Sequence, residues 1–163
     1  ELMKYIGSLN RDRKASDARA FIDFLAGRSD VRGERFGATG YCMGGNTALT
    51  AAGAWPDAFA AVASFHGGSL ATDSPESPHR FVAGITGRVY VAGASDDMHF
   101  TDEQKAVLEQ ALTAAGVDHT VETYVGAGHG FAVPDMPTFN EQAAERHWEA
   151  VFKLRSDTLG GEH

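Results

Sequence analysis

The chain contains a single cysteine, Cys42, so it can form no internal disulfide. A lone thiol among several histidines is a candidate nucleophile rather than a staple. No apolar run approaches ~18 residues, so the sequence offers no membrane-spanning helix. Positive charge is scarce, with 14 Lys and Arg against 22 Asp and Glu and a net charge of −8. Such a field disfavours phosphate backbones and anionic membranes, and no basic stripe overrides it. Nucleic acid and membrane are therefore not expected as partners. The first residues, Glu1-Leu2-Met3-Lys4-Tyr5, hold neither an initiator methionine nor a signal-peptide pattern. They are expected to follow an upstream segment, with the cytoplasm as the default location.

What is present fits one α/β domain spanning residues 1–163. The length allows a sizeable core. A hydrophobic share of 43% and a charged share of 22% are ordinary for a globular chain. Most of the 19 glycines fall at the ends of strand-like runs, where tight loops need them. Residues 1–15 show no clear period and are expected to be a loop or helix end. Ser16 is a plausible N-cap for a helix to Gly27 whose Ala18, Phe21, Ile22 and Leu25 would face a core. Strands are expected over Arg35–Tyr41, Phe59–Phe65, Gly87–Gly93 and Thr120–Val125. Phe59–Phe65 is apolar throughout, the mark of a strand buried on both faces. Partial alternation in Thr120–Val125 suggests a more exposed position.

Helices are expected after Cys42 as far as Trp55, from Thr101 to Gly116, and after Thr138. The Thr101/Gln104 and Thr138/Glu141 pairs read as capping boxes. Ala144, Trp148, Val151 and Phe152 would form the apolar stripe of the last helix. No repeat, linker or second domain is evident. Strands alternating with helices imply a three-layer sandwich, a parallel sheet of about four strands with helices on both faces.

The stretch Gly40-Tyr41-Cys42-Met43-Gly44-Gly45 has the Gly-x-Cys-x-Gly form of a nucleophile elbow, with sulfur in place of a serine oxygen. In such a turn the nucleophile takes strained φ/ψ, and residues two before and two after it come too close for side chains. A thiol at a helix N-terminus is also expected to be shifted toward thiolate. Two rival readings exist. The glycines resemble a dinucleotide-binding turn, but no acidic residue closes a second strand and no Tyr-x-x-x-Lys pair is present. Cys42 could also be a core cysteine in a tight turn.

The other strand ends favour the nucleophile. In parallel sheets ligands bind at the carboxyl ends of the strands. Those ends here are Cys42, His66, Asp96/Asp97 and His129, all at one edge. The order nucleophile, acid, base is that of α/β-hydrolases. His129 lies in the loop Gly126-Ala127-Gly128-His129-Gly130, free to reach the thiol. Either Asp96 or Asp97 could orient it. His66 could line a pocket or simply be a hydrogen-bonded strand-end residue. A metal site from His66, Asp96 and His99 lacks any His-Glu-x-x-His spacing. His79, His119, His147 and His163 read as surface.

Gly40-Tyr41-Cys42-Met43-Gly44-Gly45, Phe65-His66-Gly67-Gly68, Gly93-Ala94-Ser95-Asp96-Asp97-Met98-His99-Phe100 and Gly128-His129-Gly130-Phe131 together resemble the dienelactone hydrolase family of α/β-hydrolases. The resemblance covers nearly the whole chain from Ser16. It implies hydrolysis of small-molecule esters or lactones through a Cys42-Asp97-His129 triad and a thioester, with the Met43 N–H in the oxyanion hole and no cofactor. Asp97, followed by Phe100-Thr101, matches the family's acid better than Asp96. His66 and Phe131 would lie in the substrate pocket.

Two departures from the family stand out. Its better-known members carry a carboxylate-gripping arginine shortly after the histidine, whereas His129 is followed by Gly130-Phe131-Ala132-Val133-Pro134. Its members also begin with several more strands than precede Ser16 here. The Arg35–Tyr41 strand would then be an unpaired edge, expected to pair with another copy or with a preceding segment. The alternative to an enzyme is a non-catalytic α/β-hydrolase-like module for binding or assembly.

Overall fold

The computed structural model describes residues 2–95 and 97–160. Four strands, β1 (Phe36–Tyr41), β2 (Phe59–Phe65), β3 (Arg88–Ala94) and β4 (His119–Tyr124), form one sheet in the order β1-β2-β3-β4. Every pairing is parallel. Around the sheet lie α1 (Leu2–Gly7), α2 (Arg11–Ala26), α3 (Met43–Ala54), α4 (Asp102–Ala114) and α5 (Glu141–Leu159). Short 3-10 turns occupy Pro56–Ala58 and Pro78–Gly84.

The period-2 alternation of strand side chains divides the core between two faces. On one, Val62, Val89 and Val91 meet Ile22 of α2, Ala48 and Leu49 of α3, and Leu108 and Leu112 of α4. On the other, Ala61, Ala63, Phe65, Ala92 and Tyr124 meet Ala143, Val151 and Leu154 of α5. Each fully buried Leu or Val contributes on the order of 1.5–3 kcal/mol against exposure. The fold is the expected three-layer α/β arrangement. β2 is buried at every position, because it has a strand on each side and a helix layer on each face. β1 and β4 are the edges among the described residues and keep partly exposed positions. Along β1, between α2 and the sheet, an apolar trough of about 630 Å³ is lined by Phe21, Leu25, Phe36 and Ala38.

Several expectations about the helices are corrected. α2 starts at Arg11, not after Ser16, because the Asn10 side chain accepts from the Arg13 N–H at 2.8 Å and caps it first. The preceding residues include α1 rather than loop alone. Of the stripe read on α2, Ile22 is buried but Phe21 is 70% exposed. α5 is capped by Asn140, which accepts from the Ala143 N–H at 2.9 Å. Thr138 instead donates to the His129 carbonyl at 2.6 Å. His147, read as surface, is fully buried, with Nε2 2.8 Å from the Tyr41 hydroxyl. Trp148 and Phe152 of the same helix are largely exposed. Thr101 caps α4 with its hydroxyl accepting from the Gln104 N–H, but among the described residues Gln104 Oε1 has no partner, so the expected box is half made.

Candidate active site

Cys42 joins β1 to α3 with φ 50° and ψ −122°, the strained geometry expected of an elbow. A non-glycine residue held there costs on the order of 1–3 kcal/mol, which the surrounding contacts must offset. The Cys42 N–H donates to the Phe65 carbonyl at 3.3 Å, and its own carbonyl accepts from Gly45 at 3.1 Å and Gly68 at 3.3 Å. A Cβ at Gly40 would overlap the Gly44 carbonyl, and one at Gly45 would overlap the Ser64 hydroxyl. Gly44 has open space beside it, so the close approach expected two residues after the nucleophile falls one position later. Met43 is the first residue of α3, where the backbone N–H has no partner within the helix.

His129 reaches the same edge from the loop after β4. Its Nδ1 lies 2.7 Å from Asp97 Oδ2, and the other Asp97 oxygen accepts from the His99 N–H at 2.9 Å. The carboxylate is buried, so both its oxygens are committed. It therefore holds the proton on Nδ1 and leaves Nε2 as the basic nitrogen of His129. Gly130, at φ 91°, lets the chain turn directly behind the imidazole. The competing acid, Asp96, lies outside the described residues.

The thiol itself rests against a different ring. Cys42 Sγ is 3.3 Å from His66 Nδ1. One ligating atom from each of Cys42, His66 and His129 lies within 4.8 Å of the others, but no hydrogen bond joins Cys42 to His129 among the described residues. His66 is fully buried, with its ring edge-on to Phe131 at 4.9 Å and to His129 at 5.4 Å. Burial, with the neighbouring His129, pushes its pKa down from 6.5 to about 4. Burial and then the Asp97 charge push the Cys42 thiol up. Both effects oppose the shift toward thiolate expected at a helix N-terminus. A neutral His66 carrying its proton on Nε2 accepts the Cys42 S–H at Nδ1.

The opening above Cys42 is a cleft of about 330 Å³. Cys42, Met43 and His129 line it, with Lys14, Asn46, Ser69 and His99. Phe131, expected in the pocket, is instead fully buried and supports His66 from the α5 side of the sheet. His66, expected beside it, is also fully buried, and meets the site through sulfur and the His129 ring. Lys14 was missed because α2 begins six residues earlier than Ser16 suggests. Its ammonium donates to Asn46 Oδ1 at 2.7 Å, and Asn46 donates to the Ser69 carbonyl at 2.8 Å. Partial burial lowers the Lys14 pKa, while Glu76 opposes the shift.

A parallel sheet with helices on both faces, with a tight β1–α3 elbow at Cys42, defines an α/β-hydrolase-type fold. The sequence profile of the dienelactone hydrolase family matches residues 1–158, and the chain belongs to that family. A Synechocystis sp. protein provisionally named carboxymethylenebutenolidase is 31% identical over 142 residues, covering 85% of this chain and 57% of the relative. A Yersinia pestis protein of the same provisional name is 26% identical over 151 residues, covering 87% of this chain and 56% of the relative. The chain thus spans somewhat over half the length of these relatives. A dienelactone hydrolase-like promiscuous phosphotriesterase from metagenomic libraries superposes with a TM-score of 0.79 at 27% identity, covering 96% of this chain and 65% of that one. A Klebsiella pneumoniae structure provisionally named a dienelactone hydrolase also gives 0.79, at 20% identity, over 91% of this chain and 62% of its own. None of the described helices is long and apolar enough to cross a membrane.

Proposed function

We propose that the chain carries the catalytic centre of a hydrolase acting on small-molecule esters or lactones through Cys42, His129 and Asp97. The observation that carries this reading is the 2.7 Å His129–Asp97 bond, beside a thiol held on a strained elbow. Cys42 Sγ swings from His66 toward His129 Nε2, a shift within the 4.8 Å span of the cluster. Nε2 takes the thiol proton as sulfur attacks the carbonyl carbon, so a poor thiol nucleophile is activated only with substrate present. The Met43 N–H donates to the oxyanion. His129 then returns the proton to the departing alkoxide, leaving a thioester on Cys42. A water deprotonated by His129 attacks that thioester and regenerates the thiol. Asp97 keeps the imidazole in one tautomer and stabilises its cationic form without itself taking the proton.

Family membership and the provisional names of the two relatives support the substrate class. The phosphotriesterase relative makes an aryl phosphotriester a sensible addition to a substrate panel. Turnover of aryl esters and lactones by Cys42→Ala, compared with the unaltered chain, tests the reading: loss of activity is expected, and unchanged turnover rejects it.

A further inference from the structure

We propose that Cys42, His66 and His129 form a binding site for a soft divalent cation of the zinc type, which takes the nucleophile out of use while bound. The inference uses the same thiol and imidazole as the proposed hydrolysis, but it does not require that hydrolysis to occur.

The donor set is one sulfur and two imidazole nitrogens, the mixture that zinc prefers. The three ligating atoms lie within 4.8 Å of one another, and the sulfur–His66 Nδ1 distance is already 3.3 Å. A tetrahedral zinc with its usual bond lengths needs ligand atoms about 3.3–3.6 Å apart. One edge of the tetrahedron is therefore formed. The others close by small side-chain rotations, chiefly of His129, whose side chain is 27% exposed on a glycine-rich loop.

The surroundings match a metal site in two further ways. Asp97 grips His129 Nδ1, leaving Nε2 to ligate, which is the carboxylate–histidine arrangement that orients imidazoles on zinc. His66 is fully buried and fixed between Phe131, Tyr41 and His129, so one ligand is pre-positioned with little entropy left to lose. Among the described residues its Nε2 has no hydrogen-bond partner, and sulfur is the only one its Nδ1 has. Three protein ligands leave the fourth position to water, facing the cleft. Binding exchanges the Cys42 S–H bond for a metal–sulfur bond and releases one proton to solvent. Neither sulfur nor metal changes oxidation state.

The test is calorimetric titration of the 163-residue chain with Zn²⁺, and with Co²⁺ followed by absorption. One ion per chain is expected, with a thiolate-to-cobalt charge-transfer band, and EDTA should reverse both. His66→Asn should weaken zinc at least tenfold while the far-ultraviolet circular dichroism is unchanged. Asp97→Asn should weaken it about 10–100-fold, the usual effect of losing an orienting partner. If His66→Asn fails to fold, His129→Gln must show the same loss. Zinc binding with equal affinity in Cys42→Ala, or no stoichiometric binding by the unaltered chain, would overturn the proposal. Ester turnover without zinc binding sinks this inference alone. Zinc binding without turnover sinks the hydrolase reading alone.

Discussion

The two sides of the Cys42 thiol are built to opposite ends. On the β2 side, His66 is fully buried, held by aromatic rings, and pushed down to about 4 by burial. On the β4 side, His129 is partly open to the cleft, sits on a glycine-rich loop, and is bonded to a buried carboxylate. Sulfur rests against the first ring and, in the proposed reaction, delivers its proton to the second. In the proposed reaction the imidazole nearest the resting thiol is therefore not the base. A neutral ring with no carboxylate behind it has nothing to stabilise the cation formed when it takes a proton. The ring bonded to Asp97 does.

The largest expected effect falls on the β4 side and on sulfur itself. Cys42→Ala and His129→Gln should each lower kcat for an aryl ester by about 10⁴–10⁶-fold, the scale seen for the nucleophile and base of another hydrolase. Steady-state kinetics with active-site titration checks this. Asp97→Asn should cost about 10⁴-fold in kcat with little change in KM, because the imidazole loses its tautomer and its counter-charge rather than its place.

His66→Asn is the variant that can break the comparison. If His66 only shelters the resting thiol, kcat should change by no more than about tenfold, against the far larger loss at His129. A loss matching His129→Gln would make both rings parts of the base.

A smaller effect follows from pH. His66, lowered to about 4 from an ordinary 6.5, and His147, also lowered by burial, are harder to protonate folded than unfolded. The unfolded chain therefore binds more protons below the ordinary histidine value, and stability must fall as pH drops from there. The His66 contribution is complete above 6.5 and declines until about 4. Urea melts near pH ~7.5 and pH ~5 should show lower stability at the acid end, and His66→Asn should flatten the slope. An unchanged slope in that variant would place the titrating group elsewhere.

Much of the scaffold was legible because strands buried on both faces write themselves as apolar runs, and Phe59–Phe65 is bounded as expected. The ends of those runs brought Cys42, Asp97 and His129 to one edge without any knowledge of packing. Helix starts were harder. Asn10 and Ser16 are both good caps, and only the bond actually made decides between them. That six-residue difference hid Lys14 from the cleft. His147 falls at helical spacing with both Ala144 and Val151, yet an imidazole and an indole compete for that stripe, and the smaller ring goes inside. The His66–sulfur contact, and the desolvation that pushes the thiol up, depend on atoms brought together only by the fold.

The most direct test of the central claim is mass spectrometry of the chain quenched during turnover of a slowly deacylating aryl ester. The account predicts an acyl mass on the peptide containing Cys42, removed by Cys42→Ala and formed far more slowly in His129→Gln. Turnover at full rate with no acyl group on Cys42 at any time would contradict it.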